Sequence, residues 1–172
     1  MSYRLLKLLA LSSACIISSA CTSIPSSPTA IVTPIEISEW GTSLPTGQGA
    51  IKITFSLPQQ AKAELQLFDG KPRHISSALA RVTFSDENCT SGHLVAVNYK
   101  KNRSEFHTKY FEKEAQWNNT HTLLLSWNAN NQIVTTLNDE IINTDVYQQI
   151  NTLKIVSHFS PITIQTFEYL PL

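Results

Sequence analysis

Residues 122–137, TLLLSWNANNQIVTTL, carry the clearest structural signal in the chain. Leu123, Leu125 and Trp127 occupy alternate positions, which is the two-residue period of a strand with one face in a core. Residues 128–131 interrupt this pattern with asparagines, which tolerate the positive φ that hairpin turns require. Residues 132–137 then resume the strand. We predict an antiparallel hairpin with Trp127 in the core.

The same period recurs on both sides of this hairpin. The further predicted strands are 51–57, 62–67, 80–84, 94–99, 106–111, 153–156 and 162–167. Nine strands at intervals of about 10 to 15 residues are typical of an all-β sandwich or barrel. We expect at most a turn or two of helix, at 110–116 and 144–150. The predicted fold is an antiparallel β-sandwich of the jelly-roll type over residues 35–172.

Composition limits the class of protein. The chain has 172 residues, of which 42% are hydrophobic and 15% charged, so one packed domain is expected. The whole chain has no net charge, and loss of residues 1–20 would leave 11 basic and 13 acidic side chains, a net charge of −2. A near-neutral chain without a basic run cannot hold a phosphate backbone by charge, which argues against a nucleic-acid partner.

The first twenty residues have the features of an export signal. Arg4 and Lys7 precede an apolar stretch over 8–17, and small residues then lead directly into Cys21. A basic start, a short apolar segment and a small-residue end are typical of a secretory signal. The apolar segment is shorter than the roughly 20 residues that a membrane-spanning helix needs.

The end of this signal, residues 18–21 (SSAC), resembles the lipobox of bacterial lipoproteins, although Ser18 stands where leucine is usual. The resemblance implies cleavage before Cys21, which then carries a diacylglycerol and an N-acyl chain in the bilayer. Thr22 replaces the aspartate that retains such proteins at the inner membrane, so the outer membrane is expected. Two alternatives are cleavage at the similar frame ending in Cys15 and an ordinary signal with an incidental cysteine.

Residues 22–34 predict a tether. Nine of these thirteen residues are Ser, Thr or Pro, a composition that stays extended and could reach roughly 40 Å. We therefore divide the chain into a signal at 1–20, a lipidated Cys21 with its tether to 34, and a β-sandwich at 35–172. Cys89 would be the only unmodified cysteine of the mature chain, so no internal disulfide is expected.

The second half of the domain resembles laminin-G-like and concanavalin-like sandwiches. The resemblance rests on Trp117, the segments 121–127 (HTLLLSW) and 133–137 (IVTTL), the pair Asn138 and Asp139, and two late strands. Glu140 stands where that family commonly has glycine. The resemblance implies a fold and no particular function.

No pattern of catalytic or metal-binding residues is present in the sequence. The close acidic groups lack the Glu-x-Asp-x-x-Glu spacing that would place a catalytic pair on one strand face. There is no Gly-x-Ser-x-Gly elbow. Glu105 and His107 share a strand face, but two ligands are too few for a metal site. We predict a non-enzymatic protein without a metal or cofactor.

Aromatic and amide side chains remain as candidates for ligand binding. Trp117 is followed by Asn118 and Asn119 in a polar segment, and Tyr110 precedes it. A loop tryptophan beside amides would suit stacking and hydrogen bonding to a sugar. The alternative is that Trp117 folds back and covers the end of the sandwich.

These observations lead to two hypotheses of different classes. The first is an outer-membrane lipoprotein whose sandwich binds peptidoglycan or another envelope or extracellular glycan. The second is a structural or assembly lipoprotein of a secretion, pilus or envelope complex, joined to a protein partner through exposed strand edges.

Overall fold

A computed structural model describes residues 34–70, 72, 74–85 and 91–170. The predicted signal, Cys21, the tether up to residue 33 and Cys89 lie outside the described residues. The strands are β1 (Ile35–Ile37), β2 (Glu39–Ser43), β3 (Gly49–Ser56), β4 (Lys62–Phe68), β5 (Ala80–Ser85), β6 (Gly92–Lys100), β7 (Phe106–Tyr110), β8 (Ala115–Gln116), β9 (Thr120–Trp127), β10 (Gln132–Leu137), β11 (Glu140–Asp145), β12 (Thr152–His158) and β13 (Ile162–Leu170). A 3₁₀ turn, Ile75–Ser77, lies between β4 and β5.

The strands form two antiparallel sheets. The six-stranded sheet has the order β1-β13-β3-β9-β10-β11. The seven-stranded sheet has the order β2-β12-β4-β5-β6-β7, and β8 pairs with the beginning of β6. The chain crosses repeatedly from one sheet to the other, which is the connectivity of a jelly roll. The predicted antiparallel β-sandwich is confirmed.

The core lies between the sheets, as the alternation predicts. In the predicted hairpin, Leu123, Leu125 and Trp127 of β9 are buried, and Trp127 pairs with Ile133 of β10. Asn131 in the turn has a φ of 62°, in the left-handed region that asparagine tolerates. The indole N–H of Trp127 donates to the Pro45 carbonyl at 3.2 Å, so this buried polar group is satisfied.

The sequence reading missed four short or marginal strands: β1, β2, β8 and β11. These strands have two to six residues. β1, β2 and β11 are outermost strands of their sheets, and β8 pairs only with the beginning of β6. Short edge strands carry little alternation, because only part of each is covered by the opposite sheet.

The expected helical turns at 110–116 and 144–150 were wrong. Phe111 and Ala115 are both buried, and so are Val146 and Ile150. A spacing of four residues imitates one face of a helix. Here these side chains instead anchor β8 and two connections to the sandwich core, and no helix forms in either segment.

Candidate functional site

The structure places Trp117 at one end of the sandwich, directly after β8. Its side chain is half-buried, and its ring meets that of His93 edge-on at 6.5 Å between centroids. Its indole nitrogen is buried and has no hydrogen-bond partner among the described residues. This position is that of a side chain covering the sandwich end. A sugar-stacking role for Trp117 stays a prediction.

The other predicted ligand residues do not gather around Trp117. Asn118 has a φ of 60°, and its N–H donates to the Leu57 carbonyl at 2.8 Å, so its backbone closes a turn. Asn119 is exposed. Tyr110 stands opposite Ala96 of β6, whereas β8 pairs four residues earlier on β6, about 13 Å away. The predicted set therefore divides between two regions.

Asn119 lines a cleft of about 530 Å³ at this end of the sandwich. The floor of the cleft is His121, which is buried. Its Nε2 lies 2.8 Å from the Gln116 carbonyl, and its Nδ1 lies 3.4 Å from the Asn138 amide nitrogen. This pattern fits a ring that donates from Nε2 and accepts at Nδ1. Because both nitrogens are engaged, His121 serves to join β8 to the turn after β10.

A second polar surface lies on the outer face of the seven-stranded sheet. Val82 and Phe84 of β5 and Val97 of β6 point into the core. The alternate residues of these strands, such as Arg81 and Asn98, therefore point outward. One row crosses five adjacent strands in register: Lys154, Gln66, Arg81, Asn98 and Thr108. A parallel row two residues along each strand contains Glu64, Thr83 and Tyr110. We call these two rows the polar face.

The polar face is shielded from solvent at its middle. On β4, near the centre of the sheet, Glu64 is only 7% exposed and Gln66 only 5%, although both point away from the core. At the edge of the sheet, Tyr110 is 61% exposed. Polar groups that are shielded from bulk water interact more strongly with a ligand than fully exposed ones do.

Hydrogen bonds orient the side chains of the polar face. The Thr108 hydroxyl donates to Asn98 Oδ1 at 2.9 Å, and Asn98 Nδ2 donates to Thr83 Oγ1 at 3.3 Å. On β4, Gln66 Nε2 donates to Glu64 Oε2 at 2.9 Å. Side chains held by neighbours lose less conformational entropy when a ligand binds.

Two cations converge on one aromatic ring beside these rows. The guanidinium carbon of Arg81 lies 4.8 Å from the centre of the Phe106 ring, and Lys100 Nζ lies 4.6 Å from it. Lys100 is 7% exposed and donates to the Ser76 carbonyl. Among the described residues, no carboxylate lies within 4.0 Å of either cation. We call Arg81, Lys100 and Phe106 the cationic cluster.

Sequence reasoning did not select the polar face or the cationic cluster. The alternation of β5 and β6 did indicate that Arg81 and Asn98 point outward. Their proximity to Gln66, Thr108 and Phe106 depends on strand register, which no local pattern specifies.

A broader cleft of about 640 Å³ lies on the same sheet, between β2, β12 and Pro72. Lys154 and Glu39 form an ion pair of 2.9 Å at its wall. Trp40, which also lines it, packs edge-on against Phe167 at 4.9 Å between centroids. The cleft therefore extends the polar face toward the edge strand β2.

Neither a metal centre nor a membrane span is found in the part of the chain that the structure describes. No group of three or more His, Cys, Asp or Glu side chains converges there. None of the helical residues described forms a helix long and apolar enough to cross a bilayer.

The strand order and the two packed sheets define a concanavalin-like jelly-roll sandwich, the fold shared by galectins and alginate lyases. No protein-family model matches the chain, and no curated protein matches it in sequence. Solved structures do match. The homodimeric agglutinin CG-16 from chicken liver has a TM-score of 0.58 and 9% identity, over 77% of this chain and 99% of that one.

Two further solved structures show the range of proteins that share this fold. The toad ovary galectin in complex with thio-digalactose has a TM-score of 0.57 and 12% identity, over 78% of this chain and 99% of the galectin. The alginate lyase from Alteromonas sp. 272 has a TM-score of 0.57 and 9% identity, over 77% of each chain. At these identities the similarity establishes a common fold.

Proposed function

We propose that this chain is a lipid-anchored, glycan-binding protein of the bacterial outer membrane. The observation that carries the glycan proposal is the row of Gln66, Arg81, Asn98 and Thr108, in register across four strands of one sheet face. Sugar hydroxyls both donate and accept hydrogen bonds, and amide and hydroxyl side chains offer both functions. The rings of Phe106 and Tyr110 add apolar surface for the C–H face of a sugar.

The solved structures give this proposal independent support. One of them is a galectin with thio-digalactose bound, and another is named as an alginate lyase, so both names refer to carbohydrate. We propose that the present chain uses the same kind of sandwich for the same class of ligand.

A non-enzymatic role fits the acidic residues of the polar face and of the cleft beside it. Glu64 accepts a hydrogen bond from Gln66, and Glu39 is paired with Lys154. A general acid or base needs a carboxyl group within reach of the bond that is cleaved, in a suitable protonation state. Carboxylates already engaged with neighbouring side chains suit the positioning of a ligand better than its cleavage.

The anchor is proposed from the resemblance of the export signal to a lipobox. Cys21 would carry the acyl chains, and Thr22 favours transfer to the outer membrane. The membrane-extracted protein should show an intact mass that corresponds to cleavage before Cys21 plus lipid. Cys21→Ser should abolish that modification. An unmodified sulfur at position 21, or a wild-type protein released freely on cell fractionation, would rule out the anchor.

Glycan binding is tested by affinity electrophoresis of the full chain in detergent, against peptidoglycan fragments and neutral and acidic polysaccharides. Asn98→Ala should weaken binding at least about fivefold, because it removes hydrogen bonds at the centre of the row. Asn143→Ala is the matched control, since Asn143 is an exposed asparagine on edge strand β11 of the opposite sheet. Equal binding by both variants would reject the polar face as the site.

Trp117→Ala separates the polar face from the site that the sequence suggested. If the polar face binds the glycan, this variant keeps its affinity, because Trp117 lies at the sandwich end near β8. A loss of binding in Trp117→Ala alone would move the site to the cleft beside Asn119.

A protein partner is the second candidate function, and one observation favours it. The edge strand β11 presents Ile141, which is 62% exposed, beside backbone groups that no further described strand pairs with. Such an edge can accept a strand from another chain. A photocrosslinker at position 141 in native membranes should then capture one protein in stoichiometric amount. Failure to capture any protein at this position would reject the edge as the docking surface.

A further inference from the structure

We infer that the glycan bound on the polar face is acidic, and that its anionic group lies over Arg81 beside Lys100. This inference rests on the proposed glycan-binding function and adds the chemical class of the ligand. Either a uronic acid carboxylate or a sulfate ester would supply the anion, because both offer oxygen acceptors that carry negative charge.

The geometry brings two positive charges to one point of the face. The distances of Arg81 and Lys100 to the Phe106 centroid add to 9.4 Å, so the two charges are no farther apart than this. That separation is within a Debye length of roughly 10 Å at 0.1 M salt. An anion placed near the guanidinium therefore feels both charges at once.

The described side chains provide little countercharge for this cluster. Lys154, in the same register row, is paired with Glu39 at 2.9 Å. Neither Arg81 nor Lys100 forms an ion pair of this kind with any described residue. The nearest carboxylate in the register is that of Glu64, diagonal to Arg81, and it accepts the Gln66 amide. Glu64 places one negative charge against the two positive charges of Arg81 and Lys100, so the cluster keeps a net positive charge for a ligand.

Arg81 also keeps its hydrogen-bonding capacity. It makes no hydrogen bond to any described residue, and its Nε is buried without a partner there. A guanidinium presents five N–H donors in a planar fork that matches carboxylate and sulfate oxygens. Gln66 and Asn98, which flank Arg81 in register, lie where the hydroxyls of the same sugar would reach.

Phe106 explains why a sugar fits this cluster better than a free inorganic anion. Its half-buried ring lies 4.8 and 4.6 Å from the two cations, and its exposed part adds apolar surface beside the row of polar groups. A pyranose has one apolar C–H face and a rim of polar substituents, so it can contact the ring and the amides together. An isolated anion would use only the charge.

The test compares matched polysaccharides that differ only in charge. Full-length protein in detergent is run against polygalacturonate and alginate, each before and after reduction of the carboxyl groups to neutral sugars. A sulfated galactan before and after desulfation forms the second arm, which distinguishes sulfate from carboxylate. The variants are Arg81→Gln, Arg81→Lys and Lys52→Gln. Lys52→Gln removes one positive charge on the six-stranded sheet and is the control for general electrostatic attraction.

We expect an acidic polysaccharide to bind at least tenfold more tightly than its neutral counterpart. Arg81→Gln should reduce that affinity roughly 10- to 100-fold, which corresponds to the loss of charge-assisted hydrogen bonds. Arg81→Lys should restore part of the affinity, since it keeps the charge without the fork. Lys52→Gln should bind as the wild type does.

Three other outcomes would overturn the inference. If each acidic polysaccharide and its neutral counterpart bind equally, and Arg81→Gln does not change this, the acidic specificity is rejected. The proposed glycan-binding function would then still stand. An equal loss in Arg81→Gln and Lys52→Gln shows non-specific attraction to net charge. Failure to bind any polysaccharide, acidic or neutral, overturns the proposed function together with the inference.

Discussion

Adding one methyl group at three glycines should have three different effects on stability. A Cβ at Gly92 would lie 2.7 Å from the Ala115 carbonyl oxygen and 2.9 Å from both the Ala115 carbonyl carbon and Glu114 Cβ. A Cβ at Gly49 would lie 2.4 Å from the Trp127 ring. A Cβ at Gly70 would meet no atom of the described residues within 4 Å.

The cost differs because a backbone yields less readily than a side chain. Overpacking in a tightly packed region costs about 1 to 3 kcal/mol. Gly92→Ala should reach about 3 kcal/mol, since relief requires β8 to separate from β6 and expose the buried Ala115. Gly49→Ala should cost about 1 to 2 kcal/mol, because the Trp127 ring can move if its bond to Pro45 weakens.

Gly70→Ala provides the matched control with the opposite sign. Gly70 has no positive φ and no close neighbour among the described residues, so alanine restricts mainly the unfolded chain and should stabilise by about 0.5 kcal/mol. Urea unfolding followed by tryptophan fluorescence measures all three variants, with the midpoint compared at constant m-value. If Gly92→Ala and Gly70→Ala unfold at the same urea concentration, the close packing of β8 on β6 described above is incorrect.

Three further predictions concern single positions. Phe159 is 88% exposed and has a φ of 72°, which strains any residue but glycine. Phe159→Gly should therefore raise the free energy of unfolding by about 1 kcal/mol, or Tm by a few degrees. An unchanged Tm would mean that the turn is unstrained. The Glu140 carboxylate accepts the N–H groups of Glu112 and Lys113 at 2.7 and 3.0 Å, so Glu140→Ala should speed hydrogen exchange at those two amides. Unaltered exchange at the Glu112 and Lys113 amides would contradict their hydrogen bonds to Glu140. Cys21→Ser should shift the protein from the membrane to the soluble fraction of fractionated cells; persistent membrane association would argue against the lipid anchor.

The class of fold was predictable from the sequence because alternation is a local property. A strand with one face in a core repeats every two residues, whatever its partners are. Leu123, Leu125 and Trp127 therefore identified the buried face of β9, and Asn131 identified the turn after it. The export signal is predicted from the sequence for the same reason, since charge, apolar length and Cys21 follow one another along the chain.

The composition of the polar face was decided by the tertiary structure alone. Gln66, Arg81, Asn98 and Thr108 are separated by 10 to 17 residues along the chain, and each looks like an ordinary solvent-facing side chain in its own strand. They form one row because the antiparallel pairing of β4 to β7 has one particular register. A shift of one residue in any pair would turn the side chains of that strand to the other face.

The sequence by itself thus determined which residues of the main strands face the core. Strand register, the burial of Glu64 and the contact of Arg81 with Phe106 depend on packing between distant segments. The physical reason is that burial preferences act on each residue separately, whereas register depends on the combined fit of all paired strands and their turns.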